Sequence, residues 1–225
     1  MYFLVIIAAI FSVWASAHVN STYKKYAKVR SMSGLTGAEA AERILRSQGI
    51  HDVSIERVSG NLTDHYDPSS KVLRLSDSTY NNASVAAVGV AAHECGHALQ
   101  HARGYAPLQL RSSLVPLANL GSNAGIAIFF LGLLFYNSMG DVMLTVGIIL
   151  FSAAVLFQLI TLPVEFDASS RALKLLESNG ILASSEIPTT RKVLGAAALT
   201  YVAAAASAII QLLRLVAIAG GRNRD

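Results

Sequence analysis

Four long stretches without a charged side chain dominate the hydrophobic pattern of this chain. No Lys, Arg, Asp or Glu occurs from Met1 to Tyr23, between Arg111 and Asp141, between Asp141 and Glu165, or between Lys192 and Arg214. A helix needs about 20 mostly apolar residues to cross a hydrocarbon core about 30 Å thick, and a helix at an aqueous surface rarely stays uncharged on every side. The pattern therefore predicts four membrane-spanning helices, with apolar centres at residues 2–17, 114–136, 142–162 and 193–219.

Two of these stretches carry a complication. The second contains Pro116 together with glycine and asparagine residues, so we expect its first part to bend or to pack against protein. The first ends in Ala15-Ser16-Ala17, which fits a signal-peptide cleavage site. No cation precedes it, however, and Lys24, Lys25, Lys28 and Arg30 follow it. This arrangement favours an uncleaved anchor whose N-terminus lies outside the cell.

The segment between the first two stretches predicts a small α+β unit. Thr36 and Glu39 form a capping-box pattern that opens a helix at residues 38–47. Alternating apolar residues predict a strand over 53–58, and residues 62–66 and 71–76 flank a hairpin turn. Asn81 or Asn82 would cap a long helix that runs through Ala102.

The predicted fold class is a mainly α membrane protein, with about four transmembrane helices and a small cytosolic α+β unit. Its predicted segments are an anchor at 1–18, a cytosolic catalytic segment at 19–111, transmembrane helices at 112–136 and 142–162, a cytosolic helix at 163–192, and a transmembrane or interfacial helix at 193–219.

Composition and charge agree with this assignment. Hydrophobic residues make up 53% of the chain and charged residues 14%, against about 25% charged in soluble domains, which excludes a disordered chain. A single cysteine excludes an internal disulfide framework. The net charge of +4 comes from basic flanks, which stay in the cytoplasm and attract anionic lipid. Residues 19–111 and 163–192 would then lie inside and the loop 137–141 outside. No basic stripe interleaved with aromatic residues is present, so no nucleic-acid partner is expected.

The candidate chemistry lies on the long helix. His93, Glu94 and His97 form an H-E-x-x-H motif, and residues four apart share a helix face. Two imidazoles so placed bind one zinc ion, and the glutamate acts as general base towards a water that the metal acidifies. The alternative is a pair of hydrogen-bonded core histidines. Small neighbouring residues and the cost of an unpaired buried glutamate favour zinc.

A third zinc ligand has to come from elsewhere. His101 lies eight residues from His93, about 12 Å along a helix, which is too far for one ion. Glu165 and Asp167 follow Pro163, which would start a new helix after the third span. They lie about 200° apart around that helix, so only one can face the metal, and we choose Glu165. An acidic first turn favoured by the helix dipole remains the alternative.

Three segments together resemble a known family. Asn61-Leu-Thr-Asp-His-Tyr-Asp-Pro68, Ala91-Ala-His-Glu-Cys-Gly-His-Ala-Leu-Gln100 and Leu162-Pro-Val-Glu-Phe-Asp-Ala168 resemble the bacterial YugP-like integral-membrane zinc metallopeptidases. The resemblance covers nearly the whole chain and extends more distantly to the heat-shock membrane protease and CAAX prenyl protease group.

The resemblance implies a gluzincin-type metalloprotease with one Zn2+ ion, in the plasma membrane of a bacterium and with its site facing the cytoplasm. His93, His97 and Glu165 would be the metal ligands and Glu94 the base. The distant group has an aspartate four residues after its ligand glutamate, whereas Ser169 stands there in this chain. Either Asp167 takes over the role of orienting a histidine, or that role is missing in this chain.

Other residues carry weaker expectations. Tyr201, Arg171 and His65 could donate to the oxyanion, although a packing aromatic, an ion pair and a hairpin side chain are the simpler interpretations. Residues 71–75 are a candidate edge strand for an extended substrate, with an ordinary covered hairpin as the alternative. Cys95 is expected to be a packing residue.

Two functional hypotheses follow. The first is a membrane-embedded zinc metalloendopeptidase that acts on peptides or membrane proteins. The second is a non-catalytic membrane scaffold that binds metal, although structural zinc usually has four protein ligands, often cysteines. The sequence gives no indication of oligomeric state.

Overall fold

The structure, a computed structural model, describes residues 2–135 and 138–222. Tyr136 and Asn137, at the predicted end of the second span and in the predicted outer loop, lie outside the described residues. In chain order the elements are α1 (Tyr2–Tyr26), α2 (Gly37–Ser47), β1 (Ser54–Val58), β2 (His65–Asp67), β3 (Val72–Ser76), α3 (Asp77–Tyr80), α4 (Val85–Ala102), α5 (Ala106–Leu120), a π-helical turn (Gly121–Gly125), α6 (Ile126–Gly132), α7 (Ser138–Ser178) and α8 (Ile187–Arg222).

Four helical stretches are long and apolar enough to cross a membrane. They are Phe3–Tyr26, Ala106–Gly132, Ser138–Ser178 and Ile187–Arg222. Each overlaps one of the four predicted apolar centres, although the second helical stretch ends at Gly132, before the predicted end at 136. The predicted fold class is confirmed: the chain is a mainly α membrane protein with a small α+β unit.

The chain divides into two compact units. The membrane unit comprises the described residues up to Trp14, Gln109–Pro163, and the described residues from Thr200 onward; the α+β unit comprises Ala15–Leu108 and Val164–Leu199. In the membrane unit, the core is formed by buried side chains that include Phe129, Leu144, Phe151 and Leu215. Van der Waals packing of these side chains holds α6, α7 and α8 together, because lipid tails are as apolar as the side chains and supply no hydrophobic driving force.

The second predicted span is irregular in its first part, as expected from its proline, glycine and asparagine residues. Pro116 lies inside α5, and the helix instead widens into the π-helical turn Gly121–Gly125. A β-carbon at Gly121 would collide with the backbone carbonyl of Leu150 on α7. Glycine therefore permits a close helix contact at this turn, which side chains would prevent.

The prediction that a new helix starts at Pro163 is wrong. α7 continues without interruption from Ser138 to Ser178, with Pro163 in its interior. Proline removes one backbone hydrogen bond, but helices that cross membranes tolerate it because neighbouring groups satisfy the freed carbonyl. One helix thus carries both the third apolar stretch and Glu165.

The last helix is also continuous and ends beside α6 and α7. The Arg222 guanidinium donates to the carbonyl oxygen of Gly132 at 2.9 Å and to that of Phe135. Its Nε lies 3.6 Å from a carboxylate oxygen of Asp141. Arginine so placed pairs with backbone carbonyls at and just beyond the C-terminal end of α6.

The sheet of the α+β unit has the order β1–β3–β2. β3 pairs in parallel with β1 and antiparallel with β2, and its Leu73 and Leu75 side chains are fully buried. The expectation that residues 71–75 form an edge strand is therefore wrong, because β3 is the central strand. The predicted hairpin is present, and Asp67 accepts hydrogen bonds from Ser69 and Ser70 in its turn.

Helix α2 begins with the predicted capping box at Thr36 and Glu39. The start of α4 differs from the prediction, because its N-cap is Ser84, whose hydroxyl accepts from the backbone N–H of Ala87 at 3.2 Å. Asn82 instead accepts from the N–H of Ser84 and closes the preceding turn. Almost every side chain of α4 is buried, so this helix is the centre of the unit.

Candidate metal centre

Helix α4 presents two imidazoles on the same face. His93 and His97 are one helical turn apart, and their Nε2 atoms lie 3.2 Å from each other. The rings meet edge to face at 85°. The two side chains are neighbours because residues four apart lie on the same face of a regular helix.

Helix α7 supplies a third group from a distant part of the chain. At Gly96, between the two histidines, α7 approaches so closely that a β-carbon would lie 2.5 Å from the carbonyl oxygen of Ala168. The Glu165 carboxylate thereby lies 3.2 Å from His93 Nε2 and 3.5 Å from His97 Nε2. Glycine at position 96 is what allows the carboxylate to reach the imidazoles.

The three groups have the spacing of ligands around one small cation. Zinc binds imidazole nitrogen and carboxylate oxygen at about 2.0–2.2 Å in tetrahedral geometry, which places neighbouring ligand atoms about 3.3–3.5 Å apart. The separations here are 3.2, 3.2 and 3.5 Å. Among residues 2–135 and 138–222, His93, His97 and Glu165 are the group of side chains that could hold a metal ion. Their donor atoms and spacing fit zinc.

Two polar residues that sequence reasoning missed contact the outer nitrogens of these imidazoles. Ser169 Oγ lies 3.1 Å from His93 Nδ1, and Gln100 Oε1 lies 3.0 Å from His97 Nδ1. Gln100 follows His97 by three residues and Ser169 follows Glu165 by four, which are the spacings that share a helix face. This spacing is the sequence feature from which both contacts could have been predicted.

Burial and charge set the protonation of the motif. Burial raises the pKa of the Glu94 carboxyl above its usual range, while the nearby His93 and His97 oppose that rise. Burial lowers the pKa of His97, but the hydrogen bond to Glu165 and the charges of Glu94 and Glu165 outweigh it, so this pKa lies above its ordinary value. A carboxylate of raised basicity is suited to accept a proton.

The remaining residues that the sequence suggested for the site, namely the orienting aspartate and the three possible oxyanion donors, lie outside the three-group cluster. Asp167 contacts no imidazole directly; it accepts hydrogen bonds from Gln100 at 2.8 Å and from Arg171 at 2.5 Å. The Arg171 guanidinium also lies over the ring of Tyr105. Tyr201 is part of α8 in the membrane unit, and His65 is an exposed residue of the edge strand β2. Their roles at the site remain predictions.

Two further residues of α4 lie away from the three-group cluster. His101 pairs through Nδ1 with the hydroxyl of Tyr66 at 2.9 Å. Cys95 is fully buried against the carbonyl of Ala41, and burial raises the pKa of its thiol. A thiol so placed is a packing group rather than a nucleophile.

Comparison with known proteins gives one family. The family model described as "Putative neutral zinc metallopeptidase" matches residues 1–220. The chain belongs to this zinc metallopeptidase family. It is also 51% identical to "Putative membrane protease YugP" of Bacillus subtilis (strain 168), over 99% of this chain and 98% of that protein. No solved structure matches the chain. The resemblance inferred from the three sequence segments is confirmed, and the family's description names zinc, the ion that the donor set fits.

Proposed function

We propose that this metallopeptidase family member is a membrane-embedded zinc endopeptidase with His93, His97 and Glu165 as its three ligands. The observation that carries the proposal is the triangle of ligand atoms with sides of 3.2, 3.2 and 3.5 Å, next to a buried glutamate on the same helix. Three protein ligands and one free position are typical of catalytic rather than structural zinc.

The residues of the chain divide the work of hydrolysis. When bound, zinc supplies a Lewis acid that polarises the scissile carbonyl and acidifies the attacking water. Glu94 takes a proton from that water and later returns it to the amine nitrogen of the leaving fragment. His93, His97 and Glu165 fix the place of the ion relative to this carboxylate. Asp167 is not one of the proposed ligands; it accepts a hydrogen bond from Gln100, which contacts His97.

We also propose a location and an orientation. The positively charged flanks at 19–111 and 163–192 support a position at the cytoplasmic face of a bacterial plasma membrane for the α+β unit, which includes the predicted catalytic segment and the cytosolic helix. The substrate is then a peptide segment of a cytosolic or membrane protein that reaches this face.

Removing the metal should abolish peptide hydrolysis. Detergent-purified protein incubated with a pool of random decapeptides should generate new peptide termini, detected by mass spectrometry. We expect 1,10-phenanthroline to stop cleavage and added zinc to restore it, whereas the non-chelating 1,7-isomer should have no effect. Cleavage that continues without metal would contradict the proposal. Zinc-loaded protein that cleaves nothing would favour a non-catalytic, metal-binding scaffold.

Cysteine labelling should show the orientation. Cys95 is buried and should not react with the label. The exposed positions Met139 and Glu177 can therefore be replaced by cysteine one at a time. A membrane-impermeant maleimide should label Met139→Cys in intact cells and Glu177→Cys only after lysis. The wild-type chain is the control, and the reverse pattern would show that the α+β unit faces outward.

A further inference from the structure

Each imidazole of the candidate metal centre contacts a neutral side chain behind it. His97 Nδ1 lies 3.0 Å from the amide oxygen of Gln100, and His93 Nδ1 lies 3.1 Å from the hydroxyl of Ser169. Metal-binding histidines commonly use one nitrogen for the ion and donate from the other, and the acceptor fixes the tautomer and the ring direction.

The surroundings of Gln100 determine which way its amide points. This side chain is fully buried, and its Nε2 donates to the carbonyl oxygen of Val164 and to a carboxylate oxygen of Asp167, both at 2.8 Å. Both neighbours are acceptors only, so the NH2 group must face them and the amide oxygen must face His97. His97 Nδ1 therefore carries a proton and donates it, which leaves Nε2 as the nitrogen available to a metal ion.

Asp167 is linked to His97 by hydrogen bonds through this amide. Asp167 contacts Gln100 and forms an ion pair with Arg171 at 2.5 Å. Its carboxylate is thus already neutralised by a cation. His97 thus donates to the neutral amide oxygen of Gln100, which the Asp167 carboxylate holds in place, and not to the carboxylate itself.

We propose that Gln100 and Ser169 are positioning residues: Gln100 fixes the tautomer of His97, and the Ser169 hydroxyl holds the ring direction of His93, so that both Nε2 atoms are available to the metal. This inference rests on the proposed ligand set and deepens it. The alternative is that Gln100 only fills space in a buried core. The two explanations make opposite predictions for two substitutions at position 100.

Gln100→Met keeps the shape of the side chain but removes the acceptor, whereas Gln100→Glu keeps an acceptor but places a second carboxylate beside Asp167. If Gln100 orients His97, zinc affinity should fall about 10–100-fold in Gln100→Met and be largely retained in Gln100→Glu. If Gln100 only packs, Gln100→Met should bind zinc normally and Gln100→Glu should be the more impaired variant. Leu99→Met, an equally buried change on the same helix, is the matched control.

The readout is the zinc dissociation constant of the detergent-purified full chain, measured by competition with a chromophoric chelator. The melting temperature of each metal-free variant reports folding separately. Ser169→Ala should weaken zinc binding by a similar factor, and the neighbouring exposed change Ser170→Ala should not. Unaltered zinc affinity in both Gln100→Met and Ser169→Ala would overturn the inference. A wild-type chain that binds no zinc would instead overturn the proposed function.

Discussion

Replacing Glu94 with glutamine should slow peptide hydrolysis by orders of magnitude while zinc stays bound. The amide has nearly the same shape as the carboxylate but no basicity, so it cannot take a proton from the attacking water. A general base contributes about 10²–10⁴-fold to such reactions, and we expect a loss in this range. Glu94 is outside the proposed ligand set, so the zinc content per chain should equal that of the wild type. Cleavage of the decapeptide pool and metal analysis on the same preparation measure both quantities.

Glu42→Gln is a suitable control for this variant. Glu42 lies on α2, where it is exposed and pairs with Arg46, so hydrolysis should be unchanged. The decisive result is the separation of the two readouts in Glu94→Gln. Hydrolysis at the wild-type rate would show that Glu94 is not the base, and a loss of zinc would show that it belongs to the ligand set.

Replacing Glu165 with glutamine should remove the metal and, with it, all hydrolysis. The carboxylate is 3% exposed and faces two imidazoles, and a neutral amide oxygen is a much weaker zinc ligand. Loss of an outer partner of a ligand already costs about 10–100-fold in affinity, so loss of a ligand should cost more than about 100-fold. Zinc content after gel filtration, determined by mass spectrometry, is the primary measurement.

The chain offers a matched control for this change as well. Glu177 lies twelve residues further along α7 and is exposed, so Glu177→Gln should retain zinc and activity. Circular dichroism should show equal helix content in both variants. If Glu165→Gln held zinc as tightly as the wild type, the third ligand would have to come from another side chain.

The local parts of the candidate site could be predicted from the sequence, because they depend on helix periodicity alone. The shared face of His93 and His97 follows from their spacing. The role of Glu165 could not be predicted from spacing, which is equally consistent with a zinc ligand and with an acidic residue at the start of a helix. Only the family resemblance favoured a ligand. Its position depends on the close contact of α4 and α7 at Gly96, which no local pattern reveals.

The errors in the fold have the same origin. The strand segments were found, but the central place of β3 depends on β1, which pairs with it in parallel from 18 residues upstream. Similarly, Pro163 is a helix-start signal in water, yet it lies inside α7 because a membrane helix can accommodate it. Asn81 and Asn82 are good capping residues, but Ser84 caps α4 because a short helix and its turn occupy the chain just before it.

The 72 residues that separate His93 from Glu165 have a consequence during biosynthesis. The histidines leave the ribosome well before the glutamate, and two hydrophobic segments must enter the bilayer in between. An incompletely synthesised chain at that stage has only two of the three proposed ligands, so its affinity for zinc is low. On the proposed ligand set, the complete metal site therefore forms only after both of these hydrophobic segments have been synthesised.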